Sequence, residues 1–175
     1  IQTAVERASK VVFALRKFAH HDHSGQMVRS DLVDGIETVL TLYQNQLKQG
    51  VEVIRDFEAL PPLSCHPDEL NQVWTNLLHN ALQAMDFKGR IEISTRAEQD
   101  CAVVRVADNG PGVPGEIQAR IFEPFFTTKS AGEGTGLGLD ICRKIVERHQ
   151  GRLELTSQPG RTEFRVVIPL TQESR

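Results

Sequence analysis

Apolar residues at the start of the chain repeat with the spacing of one helical face. They stand alternately four and three positions apart, at Ile1, Val5, Ala8, Val12, Leu15 and Ala19. This spacing is the heptad seam of a helix that packs against other helices. Such a stripe would be exposed on an isolated helix, so it predicts one member of a helical bundle or hairpin and a dimer element. The polar run HHDHSGQM and Gly25 end the pattern, and a domain boundary is predicted there.

The rest of the chain carries patterns for three long helices and about five strands. The first helix should begin at Ser30 or Asp31 and end at Gly50, the second should run from Pro67 to about Met85, and the third should span 137–150 before Gly151. Alternation predicts a strand in VEVIRDFE, a hairpin turning near 98–100 and a final hairpin turning at Pro159 and Gly160. Consecutive hairpins favour an α/β sandwich, with helices on one face of a mixed sheet, over a doubly wound parallel fold.

Composition narrows the class of protein further. A chain of 175 residues with 39% hydrophobic and 25% charged residues describes a globular domain with a sizeable core. The net charge of -3 gives no electrostatic reason to expect nucleic acid or an anionic membrane surface as a partner. Three well-separated cysteines imply neither a disulfide framework nor a zinc site. The start has neither an initiator Met nor a signal peptide, so we expect a piece of a longer protein, located in the cytoplasm.

Polar residues on the second predicted helix follow one another at helical spacing. Gln72, Asn76, Asn80 and Gln83 lie four, four and three positions apart, which places them along one side. A solvated helix face is the simpler explanation of such a row. Asparagine is a poor helix former, however, and an amide oxygen is a suitable ligand for Mg²⁺ that takes its negative charge from substrate phosphates. Asn80 is therefore a candidate magnesium ligand.

The segment VVRVADNGPGV ends a predicted strand with an acid and two glycines. Asp108 could simply cap a turn, or it could accept a hydrogen bond from an exocyclic amine while Gly110 and Gly112 let a flat ring approach the backbone. A charge-assisted bond of this kind contributes about 1.5 to 3 kcal/mol, enough to select adenine over guanine. Gly110, Gly112 and Gly115 also match a dinucleotide fingerprint, but the full helix and second acidic strand that a Rossmann unit requires do not follow.

Glycines at 132, 134, 136 and 138 stand directly before the third predicted helix. They could form a flexible linker, or they could make an anion site at the helix N-terminus, where the N–H groups of about residues 136–139 would meet phosphate oxygens. No GK[ST] sequence occurs, so a Walker-type phosphate loop is excluded. The preceding FEPFFTTK, residues 122–129, suits either buried core or a mobile lid whose Lys129 reaches a terminal phosphate.

Four segments, ELNQVWTNLLHNALQAM, DNGPGV, FEPFFTTK and GEGTGLGL, stand in one order. Over residues 26–170 the chain thereby resembles the catalytic, ATP-binding domain of bacterial sensor histidine kinases in the GHKL superfamily, in particular the nitrogen-regulation-like subgroup. The resemblance implies an α+β, two-layer sandwich of the Bergerat type, with three helices on one face of a mixed sheet. It also implies that residues 1–24 are the end of the second helix of a dimerisation hairpin and that 25–175 form the catalytic domain.

The same resemblance implies roles for individual residues. Asn80 would coordinate Mg²⁺, Asn76 would stand near the metal and phosphates, and Asp108 would bind the adenine amine. Lys129 would be the third catalytic residue, because Gln83 occupies a position where many kinases carry a phosphate-contacting lysine. The implied ATP-binding residues are Asn76, Asn80, Gln83, Asp108, Gly110, Gly112, Val113, Phe122, Thr128, Lys129, Gly134, Thr135, Gly136, Leu137 and Gly138.

The expected activity is transfer of the ATP γ-phosphoryl group to a histidine on a dimerisation domain, for signalling through a response regulator receiver domain in a homodimeric full-length protein. His20, His21 and His23 do not lie in the segment that would carry that acceptor. In gyrase-like ATPases the position of Asn76 holds a glutamate that activates water, and an amide cannot act as that base. A degenerate nucleotide-sensing or docking module and a gyrase-like ATP hydrolase are the alternatives.

Overall fold

The computed structural model describes residues 26–129 and 134–171. The predicted helix within residues 1–24 lies outside these ranges. The helices are α1 Leu32–Leu42, α2 Gln44–Leu47, α3 Pro67–Ala84, α4 Gly115–Gln118 and α5 Gly138–Arg148. The strands are β1 Val28–Ser30, β2 Val51–Phe57, β3 Leu63–Cys65, β4 Gly89–Glu98, β5 Cys101–Asp108, β6 Arg152–Gln158 and β7 Arg161–Pro169. No helix within the described ranges is long and apolar enough to span a membrane.

A five-stranded mixed sheet forms one layer, and the helices α1, α3 and α5 form the other. The strand order is β2-β4-β5-β7-β6, in which β2 pairs with β4 in parallel and the other pairs are antiparallel. Alternate residues of the strands, such as Ile93, Val104 and Val166, face the helices. They are buried against the apolar faces of those helices. This arrangement confirms the predicted two-layer α/β sandwich with three long helices.

Two features differ from the sequence prediction. Residues 63–65, for which the sequence pattern predicts no strand, form β3 and pair with β1 as a separate two-stranded sheet. Strands of three residues are too short for alternation to reveal them. The first helix was expected to continue to Gly50, but Tyr43 leaves the helical conformation, so that α2 is a separate turn.

The predicted helix ends follow local chemistry. The Asp31 side chain accepts a hydrogen bond from the Val33 N–H at 2.8 Å and so caps α1. Pro67 occupies the first turn of α3, followed by Asp68 and Glu69 near the positive end of the helix dipole. At the end of α5, the left-handed position is held by Gln150, with φ of 60°, rather than by the glycine that follows.

His149 joins the end of α5 to the start of α3. It follows α5, its side chain is 0% exposed, and its Nε2 accepts a hydrogen bond from the His66 backbone N–H at 3.0 Å, at the start of α3. Because Nε2 is an acceptor there, Nδ1 carries the hydrogen and donates it to the Ile145 carbonyl oxygen at 2.8 Å. The folded chain therefore requires a neutral imidazole at this position.

Burial lowers the pKa of His149 below its ordinary value of 6.5, and the Ile145 carbonyl and the charge of Glu69 oppose that change. As the pH falls below 6.5, the His149 imidazole becomes protonated in the unfolded chain but stays neutral in the folded chain. We therefore expect this residue to lower the free energy of unfolding by at most about 1.4 kcal/mol per pH unit, until the pH reaches the depressed folded pKa. Urea unfolding between pH 7 and pH 5 measures this slope. A His149→Gln variant with the wild-type slope would contradict the expectation.

Candidate active site

The polar row of α3 opens into a cavity beside the sheet. The opposite face of this helix is buried through Leu70, Val73, Leu77 and Ala81, so its 3.6-residue period leaves the amides on the cavity side. Asn76, Asn80 and Gln83 line this cavity. Gln72, the first member of the predicted row, does not.

Asp108 ends β5 on the face of the sheet that packs against the helices. It pairs across the sheet with Ile91 and Thr162, and its side chain is buried, with 6% exposed. Its Oδ1 accepts a hydrogen bond from the Gly110 N–H at 2.9 Å. Burial raises the pKa of the Asp108 carboxyl, and the Gly110 N–H and the charge of Arg161 oppose that rise. A carboxylate desolvated in this way is stabilised by a ligand that offers it an N–H donor.

The cavity has a volume of about 670 Å³, and both Asp108 and the α3 amides line it. Most of the residues predicted from the sequence lie around it: Asn76, Asn80, Gln83, Asp108, Gly112, Val113, Thr128, Lys129, Gly134, Thr135, Gly136 and Gly138. Residues more than sixty positions apart in the chain are thereby brought to one site.

Three of the predicted residues, Gly110, Phe122 and Leu137, do not line the cavity but contact residues near it. Gly110 donates its N–H to Asp108 and so orients the carboxylate. The Phe122 ring packs edge-to-face on Phe164, with 6.4 Å between ring centroids, and Phe164 itself lines the cavity. Leu137 packs against the hydrophobic core in front of α5. These three residues support the site through its neighbours.

The segment before α5 is held to the phenylalanine-rich segment by the backbone. The Phe125 N–H donates to the Gly136 carbonyl oxygen at 2.9 Å. Gly136 has φ of 68°, and a Cβ there would lie 2.4 Å from the Phe125 carbonyl carbon, so only glycine fits this crossing. The Lys129 ammonium donates to the Gln83 side-chain oxygen. The two residues considered as alternative phosphate contacts are therefore neighbours.

The N-terminus of α5 also faces the cavity. Its cap residue, Leu137, has no side-chain acceptor for the first N–H groups of the helix, and Gly138 lines the cavity. The Asn76 side-chain nitrogen donates to the Gly138 carbonyl oxygen at 3.3 Å, which joins α3 to the start of α5. The first N–H groups of a helix have no acceptor within the helix, so this helix start beside a row of amides is suited to an anion.

Residues 65–172 match the family model described as histidine kinase-, DNA gyrase B- and HSP90-like ATPase. The chain belongs to this family. It is an ATP-binding domain of the sensor histidine kinase type, which confirms the resemblance seen in its motifs. The chain is 34% identical to the sensory histidine kinase/phosphatase NtrB of Klebsiella oxytoca. The aligned region covers 95% of this chain but only 50% of the length of that relative.

Two solved structures resemble the fold of this ATPase domain. The catalytic domain of histidine kinase ThkA, in a nucleotide-free form, has a TM-score of 0.77 and 29% identity, covering 85% of this chain and 100% of that one. The structure of ThkA in complex with the response regulator protein TrrA has a TM-score of 0.81 and 25% identity, covering 98% of this chain and 50% of that one.

Sequence reasoning missed several lining residues of the ATPase domain. These are His79, Ala84, Pro111, Pro114, Ile117, Ile121, Phe126, Thr127, Leu139, Thr162 and Phe164. His79 is one turn beyond Asn76, so helical spacing could have found it; its ring lies 6.3 Å from that of Tyr43. Burial, followed by the charge of Lys129, lowers the pKa of His79. Thr162 and Phe164 become visible only through the pairing of β7 with β5.

Proposed function

We propose that this chain is the catalytic domain of a sensor histidine kinase that binds ATP with Mg²⁺ in this cavity and transfers the γ-phosphoryl group to a histidine on a dimerisation domain. One observation carries the proposal: the buried Asp108 carboxylate and the amides of Asn76 and Asn80 open into the same cavity of about 670 Å³. That volume lies within the range of about 300 to 1,000 Å³ that small-molecule sites occupy.

The purine would lie at the Asp108 end. The carboxylate there can accept a hydrogen bond from the exocyclic amine of adenine, whereas the carbonyl oxygen of guanine would face it with a second acceptor. Apolar side chains around this end, including Ile117 and Phe164, would exclude water from that bond and strengthen it. The Thr162 hydroxyl, on the strand paired with Asp108, is a further candidate for contact with the base.

The phosphates would lie between α3 and the start of α5. The residues fit a magnesium ion: Asn80 offers an amide oxygen, and the described residues contain no cluster of three His, Cys, Asp or Glu side chains that would form a protein cage. Such a site suits Mg²⁺, which keeps several waters and binds substrate phosphates, whose charge it would neutralise. Lys129 and the N–H groups near Gly136 and Gly138 would bind phosphate oxygens.

The arrangement of charges favours transfer over hydrolysis. Asp108 is the only carboxylate among the described residues that line the cavity, and it stands at the purine end. At the phosphate end Asn76 has no basic atom that could take a proton from water. The domain would instead orient the triphosphate so that an imidazole nitrogen of the acceptor forms the N–P bond while the bond to the β,γ-bridging oxygen breaks. The products would be phosphohistidine and ADP, with the imidazole proton released.

The acceptor and the downstream partner would come from outside this domain. The similar NtrB is about twice as long as this chain, which leaves room for a dimerisation domain with a phosphoacceptor. The similar ThkA has been solved with a response regulator bound, and this supports a response regulator receiver domain as the partner here. In the full-length protein we expect a homodimer.

Incubating the full-length protein with ATP labelled at the γ-phosphate tests the proposal. We expect protein-bound label that is stable to alkali and labile to acid, as a phosphoramidate is, and a dependence on Mg²⁺ that chelation removes. Rapid release of inorganic phosphate without labelled protein would instead indicate a gyrase-like hydrolase. ATP binding without either product would indicate a nucleotide-sensing module.

A further inference from the structure

The backbone of Val113 is held on both sides by side chains from two other elements. Its N–H donates to the Ser157 hydroxyl oxygen in β6 at 2.8 Å, and its carbonyl oxygen accepts from the Gln118 side-chain nitrogen in α4, also at 2.8 Å. The same Gln118 nitrogen lies 3.3 Å from the Ser157 carbonyl oxygen, to which it donates. We call this set of three bonds the Val113 clamp.

The loop that carries Val113 forms no strand ladder with the sheet. It leaves β5 after Asp108 and crosses the end of β7 to reach β6 at the edge of the sheet. Pro111 and Pro114 have no N–H to donate. Gly112, with φ of 87°, runs so close to the hairpin that a Cβ would lie 2.4 Å from the Gln158 carbonyl oxygen. Side-chain bonds from Ser157 and Gln118 therefore take the place of a strand ladder.

The clamp also connects the two walls at the Asp108 end of the cavity. The Ser157 hydroxyl lies 2.9 Å from the Thr162 hydroxyl, and Thr162 is the strand partner of Asp108. Val113 and Thr162 line the cavity, whereas Ser157 and Gln118 do not. Ser157 and Gln118 therefore contact groups that line the cavity without lining it themselves.

We propose that Ser157 and Gln118 are positioning residues that fix the Gly112–Val113 wall against Asp108 and thereby set the affinity and selectivity for the purine. The inference rests on the proposed function, since it takes the ligand to be ATP. A wall fixed before binding does not have to be ordered by the ligand, so its loss reduces affinity without removing any direct contact. The phosphate end, formed by α3 and the start of α5, is independent of the clamp.

Calorimetric titration of the full-length protein with MgATP and with MgITP, which lacks the exocyclic amine, tests the clamp. We expect Ser157→Ala and Gln118→Glu each to weaken ATP binding about fivefold to tenfold. The affinity for ITP should fall less, so the ratio of ATP affinity to ITP affinity should decrease. Ser157→Thr retains the hydroxyl and should restore the preference. The rate of phosphoryl transfer at saturating ATP should stay at the wild-type value.

Gln158→Glu is the matched control for Gln118→Glu, because it adds the same charge beside the same loop at an exposed position. It should bind both nucleotides like the wild type. The double variant Ser157→Ala/Gln118→Glu should lose less affinity than the product of the single losses, since both residues act through Val113.

Unchanged selectivity in both single variants, with a wild-type protein that binds ATP, would overturn the clamp and leave the proposed function intact. Equal losses for ATP and ITP, together with a lower melting temperature, would also overturn it, because they show general destabilisation. A wild-type protein that does not bind ATP would overturn the proposed function itself.

Discussion

Replacing Asn80 with alanine is expected to lower phosphoryl transfer from ATP by about two to three orders of magnitude, as the loss of one preorganised electrostatic contact at a reacting group does. The change removes an amide side chain that lines the cavity and that we propose as the Mg²⁺ ligand. Asn80→Asp should abolish transfer, because in our proposal its carboxylate adds negative charge beside the phosphates. Labelled protein formed per minute from γ-labelled ATP, at saturating Mg²⁺, measures the effect.

Unfolding would not explain such a loss. Alanine is a better helix former than asparagine, so the Asn80→Ala variant should have the melting temperature of the wild-type domain or a higher one. Gln72→Ala is the matched control, since it removes a neutral amide two turns earlier on the same helix, outside the cavity. Wild-type transfer by the Asn80 variants would contradict the assignment of this residue to the metal and phosphates.

Asp108→Asn is expected to weaken ATP binding by about tenfold to a hundredfold, the equivalent of one charge-assisted hydrogen bond. The asparagine oxygen can keep the bond from the Gly110 N–H, which turns its amino group into the cavity. A donor would then face the donor amine of adenine. Calorimetry with MgATP measures the loss, and the preference for ATP over ITP should disappear in the variant.

Asp100→Asn provides the control for this change, because Asp100 precedes the other end of β5, in the turn after β4. It has φ of 61°, which asparagine tolerates well, so its fold and its ATP affinity should equal those of the wild type. An Asp108→Asn variant that binds ATP as tightly as this control would show that the carboxylate does not bind the purine.

Regular local patterns predicted much of this molecule. The periodicity around Leu70, Val73 and Leu77 predicted the helix and its buried face, and hence the side on which Asn76 and Asn80 lie. Alternation predicted the strands, and consecutive hairpins predicted a mixed sheet with helices on one face. These inferences succeeded because a helix repeats every 3.6 residues and a strand every two, so neighbours on one face can be counted along the chain.

Other features depended on contacts that no local period encodes. Phe122 and Leu137 belong to motifs, yet they pack behind the cavity, whereas Thr162 and Phe164 enter it from a hairpin that carried no chemical signal. The pairing of Lys129 with Gln83 joins residues whose separation of 46 positions has no meaning along the chain. The short strands β1 and β3 form only through their mutual pairing.

The amino-acid sequence by itself determined the longer helices and strands, the layer architecture and the residue types of the site, because each of these follows from spacing and side-chain chemistry over a few turns or strands. The tertiary structure alone decided which residues surround one cavity, how deeply Asp108 is buried, and that Ser157 and Gln118 hold Val113. Burial and hydrogen bonding between distant segments depend on strand register and on the crossing of loops, and these are set by the packing of the whole domain.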